Sequence, residues 1–265
     1  MDGMQLDAYA YGNRLRTLSP AYKTGFAMGI LSIAFLSHVP VQLMIFAWMS
    51  IWVVKYAGIP SRLYIRLIGL AFVFVVLSLP ALLVEVTHDK HVFIANVACG
   101  FAVADWYVYI SKNGLEQAGR LAARALAATS CLYFLMLTVP FNELLHVLRR
   151  LRIPEIVLEL MLVMYRFIFV LLDVAVNIRV AQLSRGGHNG FRNTMQDMGR
   201  LFVQVFVCAM EKQRKLAIGL AARGFEGTIR VYQVRDYKVT PRYHVEVVTG
   251  VLALIGMEWW MRGGL

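Results

Sequence analysis

Two triplets in this chain set an arginine between a small residue and a glycine: Ser184-Arg185-Gly186 and Ala222-Arg223-Gly224. Each closes a long stretch of helical periodicity. The chemistry open to such an arginine is recognition. A guanidinium held at a rigid helix end presents a planar fork of donors that can grip a partner's carboxylate or carbonyl groups. One triplet alone has an ordinary explanation, since arginine in a last turn offsets the helix dipole and a following glycine lets the helix stop. Two of them, at the ends of consecutive long helices, strain that explanation.

Other chemistries fail on spacing. No G-x-x-x-x-G-K-[ST] occurs, and Gly186-Gly187-His188-Asn189-Gly190 has neither the lysine nor the preceding strand that a phosphate cradle needs. ATP hydrolysis by this chain alone is not expected. His88-Asp89-Lys90-His91 brings together two imidazoles and a carboxylate, donors that suit cobalt, nickel or zinc. A lysine stands among them and no third ligand lies at a defined spacing, so the segment is expected to be an ordinary polar loop and no metal site is assigned. Cys99, Cys131 and Cys208 are too scattered for a disulfide framework or a zinc site. Arg166, Asp173 and Arg179 lie along one long helix and are expected to be paired rather than to form a relay. No Ser/His/Asp set or carboxylate cluster has catalytic spacing, so the chain is not expected to be an enzyme.

The elements that position the triplets follow from composition. Of 265 residues, 59% are hydrophobic and 16% charged, against roughly 45–50% and about 25% for globular domains. Mean hydropathy is +0.60. Such a chain is an integral membrane protein, which excludes a cytosolic enzyme, a disordered chain and a free nucleic-acid binder despite a net charge of +11. The excess cations then serve membrane orientation, anionic lipid or an acidic protein partner. Met1 to Pro20, with Asp2, Asp7, Arg14 and Arg16 and no apolar core, does not resemble a cleaved signal.

Five apolar runs approach the roughly 20 residues of a membrane span: Tyr22 to Ser37, Val41 to Ala57, Leu63 to Val86, Ala118 to Val139, and Tyr243 to Met261. The shorter run His91 to Ala104, interrupted by Asn96 and Gly100, is expected to be interfacial or re-entrant. The aromatic cluster Trp106-Tyr107-Val108-Tyr109 behind it suits the headgroup region. Residues 141–242 hold sixteen of the twenty-seven Lys and Arg residues and are expected in the cytoplasm, as is the N-terminus with Arg14, Arg16 and Lys23. Arg120 and Arg124 then fall at the outer end of the fourth span, where they are expected to snorkel.

The expected division is therefore a tail and four spans over 1–140, a cytoplasmic module over 141–242, and a final span over 243–265. Within the module, Phe141 to Leu151 is a short amphipathic helix. Pro154 opens a helix without a breaker until Gly186, about 45 Å long. A second long helix is expected from the capping-box pattern Thr194-x-x-Asp197 to Gly224, with Met198, Leu201, Phe202, Val205, Cys208 and Ala209 as its apolar stripe. The fold class is an all-α integral membrane protein of about five transmembrane helices plus one short and two long cytoplasmic helices.

With this order of elements, the chain resembles the T component of energy-coupling-factor (ECF) transporters, whose signature is a pair of Ala-Arg-Ser or Ala-Arg-Gly motifs. Finer features resemble its cobalt branch, the CbiQ type: Asp7-x-Tyr9-Ala10-Tyr11-x-Asn13-Arg14-Leu15, Leu137-Thr138-Val139-Pro140, and Ala222-Arg223-Gly224-Phe225-Glu226-Gly227. Ser184 departs from the pattern's alanine. The resemblance implies a non-catalytic scaffold in a bacterial cytoplasmic membrane that binds no cofactor itself. It implies that two cytosolic ABC ATPase subunits, which use the ATP, are held at Ser184, Arg185, Gly186 and at Ala222, Arg223, Gly224. It also implies a membrane substrate-capture subunit of the cobalt-binding type, with nickel as a neighbouring solute, contact with membrane lipid, and no nucleic acid. The alternative is a stand-alone secondary transporter or metal permease, which requires ionisable residues deep in broken spans. Apart from Glu85 near an end, almost no ionisable residue lies deep in the spans.

Overall fold

The computed structural model describes residues 9–87, 97–103, 106–187, 190–224 and 241–263. His88, Asp89, Lys90 and His91 lie outside the described residues. Proline opens the first two helices, where its missing N–H is harmless and its φ is preset. These are α1 (Pro20–Leu36) and α2 (Val39–Ile51), with the chain reversing at Ser37-His38. A π-helical turn, Trp52–Tyr56, extends α2. Gly58, at φ +72°, then turns the chain toward α3 (Ser61–Leu83), which carries Pro80 inside it. Three strands follow, β1 (Val84–Thr87), β2 (Val97–Val103) and β3 (Trp106–Ser111). The remaining helices are α4 (Lys112–Thr138), α5 (Phe141–Arg150), α6 (Glu155–Ser184), α7 (Phe191–Ala222) and α8 (Pro241–Gly263).

A helix coincides with each of the five apolar runs, α4 beginning ahead of its run. Val39–Tyr56, Ser61–Pro80 and Glu116–Thr138 are long and apolar enough to cross a membrane, and Pro20–Leu36 is apolar but shorter. The polar residues Arg242, His244, Glu246 and Glu258 dilute the apolar character of α8. The architecture is that of an α-helical membrane protein, as the composition implies, with a small sheet added. The strands are antiparallel in the order β1-β3-β2, with Glu85 opposite Tyr109 and Phe101 opposite Val108. Part of the segment expected to be interfacial or re-entrant thus forms β2. Trp106, Tyr107, Val108, Tyr109 and Ile110 carry high strand propensity, and pairing on both sides satisfies the β3 backbone.

The chain forms two compact units, residues 1–147 with 235–265, and residues 148–234. In the first, α4 is the hub, packed against α1, α2 and α3, while α8 packs on α2. Ile30 and Ala34 of α1, Ile45 and Met49 of α2, and Ala127, Cys131 and Phe134 of α4 share the core. The alanines let the helices approach closely, which is how helices associate when lipid gives no hydrophobic drive between them. Trp52 stacks on Tyr56 at 4.7 Å and meets Phe26 at 5.0 Å and Phe134 at 6.2 Å.

A polar node sits at the end of this core. Pro140 breaks the chain after α4 and leaves the Thr138 carbonyl in need of donors. Two reach it: Lys23 Nζ at 3.1 Å and Asn13 Nδ2 at 3.1 Å. Lys23 is also 3.9 Å from Glu143 of α5, and both side chains are buried. Two of the motifs that carried the resemblance, at Asn13 and at Thr138, therefore meet here.

In the second unit α6 packs on α7. Leu158 and Asp197 are their buried residues. Ile156, Leu160, Met164 and Ile168 on α6, and Met195, Phe202 and Phe206 on α7, are exposed, an apolar surface of the kind that meets lipid or a partner. The expected α7 stripe divides accordingly: Leu201, Val205 and Cys208 are half-buried, while Met198 and Phe202 are exposed.

Candidate functional site

Both triplets form helix ends of one design. Ser184 is the last residue of α6, Arg185 is its C-cap at φ −96°, ψ 16°, and Gly186 follows at φ +75°. Gly186 N–H donates to Leu183 O at 3.1 Å and Gly187 N–H to Gln182 O at 2.9 Å, the two bonds of a Schellman motif. Ala222 ends α7, Arg223 is its C-cap at φ −96°, ψ 11°, and Gly224 follows at φ +71°. Gly224 N–H donates to Ala221 O at 3.1 Å. At both ends glycine is the residue that enters the left-handed region without strain.

Backbone N–H groups thus occupy terminal carbonyls that a capping arginine would otherwise serve. Both guanidinium groups are exposed, and among the described residues neither makes an ion pair or side-chain hydrogen bond. Two cations are presented rather than used internally. Ser184 Oγ donates back to Val180 O at 3.0 Å, so the serine in place of alanine folds onto its own helix and leaves the tip unobstructed.

The first tip is braced by the start of α7. Gln182 Nε2 donates to Asp197 O at 3.1 Å, and Asp197 Oδ1 lies 3.5 Å from Arg200. A cleft of about 420 Å³ is lined by Gln182, Arg185, Gly187, Asp197 and Arg200 among others. At Gly187 a Cβ would lie 2.8 Å from Gln182 O and 2.9 Å from Asp197 Oδ2, so only glycine lets the two helices close this far. From Asp197 to Arg223, α7 runs about 39 Å at 1.5 Å per residue. The two arginines therefore stand far apart within one compact unit.

Two expectations need correction. α7 starts at Phe191, ahead of the capping-box pattern, with Gly190 at φ +82° as N-cap. Thr194 sits inside the helix and its Oγ1 donates to Gly190 O at 2.9 Å, while Asp197 faces Gln182 instead of capping. Arg166, Asp173 and Arg179 are exposed and form no ion pair among the described residues. Their separations of seven and six positions miss the three- or four-residue spacing at which helical side chains meet. Arg120 is paired with Glu116 one turn before it. From sequence alone Gln182 and Arg200 have no part in the tip, and Asp197 and Gly187 read only as a cap and a failed phosphate loop, although the Gly186-Gly187 doublet signals a tight helix end.

Residues 12–233 match the model of a family described as CbiQ, cobalt transport protein. An uncharacterized protein of Methanocaldococcus jannaschii is 31% identical over 229 residues, covering 86% of this chain and 83% of the relative. The cobalt transport protein CbiQ of Salmonella typhimurium is 28% identical over 223 residues, covering 81% of this chain and 96% of the relative. The energy-coupling factor transporter transmembrane protein EcfT of Brevibacillus brevis is 26% identical over 216 residues, covering 77% and 79%.

Proposed function

The chain belongs to the CbiQ family of cobalt transport proteins, and from that premise we propose that it is the coupling scaffold of an ECF-type importer. As a family member it is a membrane component of a transport system. The proposed task is to carry ATP-driven motion from two cytosolic ABC ATPases to a membrane subunit that captures the solute, cobalt by the relatives' names. Arg185 and Arg223 are the proposed ATPase anchors, each entering a groove of one subunit and forking onto carboxylate or carbonyl groups. The proposed setting is the cytoplasmic membrane, with the N-terminus and both tips in the cytoplasm. ATP is used by the partners, and no cofactor is assigned to this chain.

The observation that carries this reading is the pair of exposed, internally unengaged arginines on matching helix ends about 39 Å apart. A helix of 30 residues and one of 32, packed on each other, convert a displacement at either tip into shear along their length. The bare apolar flanks of α6 and α7 supply a surface for the capture subunit, with Met164, Met195 and Met198 as adaptable contacts. The test is purification of the chain from its host membrane in mild detergent. Two ATPase polypeptides per chain are expected to co-purify. A chain that arrives alone and moves cobalt into liposomes unaided is a stand-alone permease, and the proposal fails.

A further inference from the structure

At the end of the first unit where α1 hands over to α2, a cleft of about 500 Å³ is lined by Ser37, His38, Gln42, Arg120, Arg124 and Met261, among others. Its chemistry is unbalanced. Arg124 Nε is buried without a hydrogen-bond partner among the described residues. Gln42 is 2% exposed; its Nε2 is consumed by Ala34 O and Ser37 O, at 3.0 and 2.9 Å, and its Oε1 has no partner among the described residues. The N-terminus of α2, with Val39 and Pro40 on the wall, adds the positive end of a helix dipole. Two carboxylates stand near. Glu116 is held by Arg120, and Glu258 by His38, through Nδ1 at 2.9 Å and the backbone N–H at 3.1 Å.

A second, largely apolar groove of about 260 Å³ adjoins the cleft, sharing Leu36 and Ser37 with it and lined also by Ile33, Ile255, Trp259 and the His38-bound Glu258. Trp259 and Trp260 beside it are exposed, at 79% and 82%. Tryptophan bared at the end of apolar helices belongs at the headgroup level of a bilayer.

We propose that the cleft and its groove are a binding site for an anionic phosphoglycerolipid bearing a free headgroup hydroxyl, of the phosphatidylglycerol kind. Arg120 and Arg124 hold the phosphate by charge-assisted hydrogen bonds. Gln42 Oε1 accepts the hydroxyl's hydrogen, and one acyl chain lies in the groove along Leu36 and Ile255. A free phosphate meets the arginines but leaves the groove empty. The lipid ties α1, α2, α4 and α8 together at the end remote from the Lys23–Glu143 node, and the site stands independently of the coupling proposal.

Native mass spectrometry of the purified full chain, titrated with phosphatidylglycerol, phosphatidylcholine or inorganic phosphate, tests the assignment. Phosphatidylglycerol is expected to bind roughly tenfold or more tightly than phosphatidylcholine, and millimolar inorganic phosphate is expected not to displace it. Arg120→Gln with Arg124→Gln is expected to abolish the preference. Glu116→Gln, an exposed change that frees Arg120 from its carboxylate, is expected to tighten phosphatidylglycerol binding, a gain that misfolding cannot produce. Equal binding of the two lipids, an unaltered preference in the double variant, no gain in Glu116→Gln, or full displacement by phosphate each overturns the proposal.

Discussion

Removing the amine of Lys23, by Lys23→Met, tests what holds the N-terminal segment to the α4–α5 junction. The side chains of Lys23 and Glu143 are 1% and 9% exposed, with Nζ 3.9 Å from Oε2. At that separation and an effective dielectric of about 20, the pair is worth about 4 kcal/mol of Coulomb attraction. Truncating one member of a buried pair typically costs about 3–5 kcal/mol, because the other charge stays desolvated. The loss of the bond to Thr138 O is softened by Asn13, which still donates to that carbonyl. A domain of this size shifts its Tm by about 2–4 °C per kcal/mol, so a drop of roughly 6–20 °C is expected. Cys131, buried at 1%, is a built-in reporter for a thiol-reactive dye in a background where Cys99 and Cys208 are serine. Replacing both partners, Lys23→Met with Glu143→Leu, is expected to recover most of the loss. A single variant melting within a degree of the parent, or a double variant that loses the sum of both singles, refutes the reasoning.

Further outcomes follow from named contacts. Gly186→Ala forces a non-glycine residue to φ +75°, at a cost of about 1–2 kcal/mol, and Gly187→Ala meets Gln182 O and Asp197 Oδ2; both are expected to speed amide exchange at the end of α6 while leaving α7 near Arg223 unchanged. Gly250→Ala drives a methyl into the Trp48 indole, so it is expected to lower the Tm, and in a Trp48→Ala background, where the clash is gone, it is expected to cost almost nothing further; an undiminished cost there speaks against the α2–α8 packing. Cys208 is half-buried on α7, and an impermeant thiol reagent applied to intact cells is expected to leave it unlabelled; labelling refutes the proposed orientation.

The elements visible in advance were those with local signals. Apolar runs between prolines placed α1 to α4 and α8 to within a few residues at most ends, and each Arg-Gly pair marked a helix terminus before any geometry was known. The start of α7 was misplaced because Thr194 and Asp197 fit a capping box as well as they fit a back-bonded threonine and a side chain packed toward α6. The strand Trp106–Ser111 has no distinctive local signal, because an aromatic cluster in an apolar chain suits an interface and a sheet equally. What no local pattern can reveal is convergence over distance: Lys23 meets Glu143, and Gln42 and Arg124 come to line one cleft, only once the helices have packed. At the tips, sequence supplied the arginines, but that their carbonyl-capping role is taken by backbone N–H groups is a matter of geometry.

The most direct measurement is solute uptake and ATPase retention by Arg185→Ala, Arg223→Ala and the double variant, each expressed with its partners and checked for membrane insertion. Loss of a hydrogen-bonded charge at an interface typically costs about 2–5 kcal/mol, and tenfold is about 1.4 kcal/mol, so each single change is expected to weaken its ATPase contact roughly thirty- to several-thousand-fold. Lysine at either position is expected to rescue poorly, because it lacks the fork. Each single variant is expected to keep one attachment, and the double variant to lose both ATPases and all uptake. If a correctly inserted double variant takes up cobalt at the parent rate with its ATPases still bound, Arg185 and Arg223 are helix ends and nothing more.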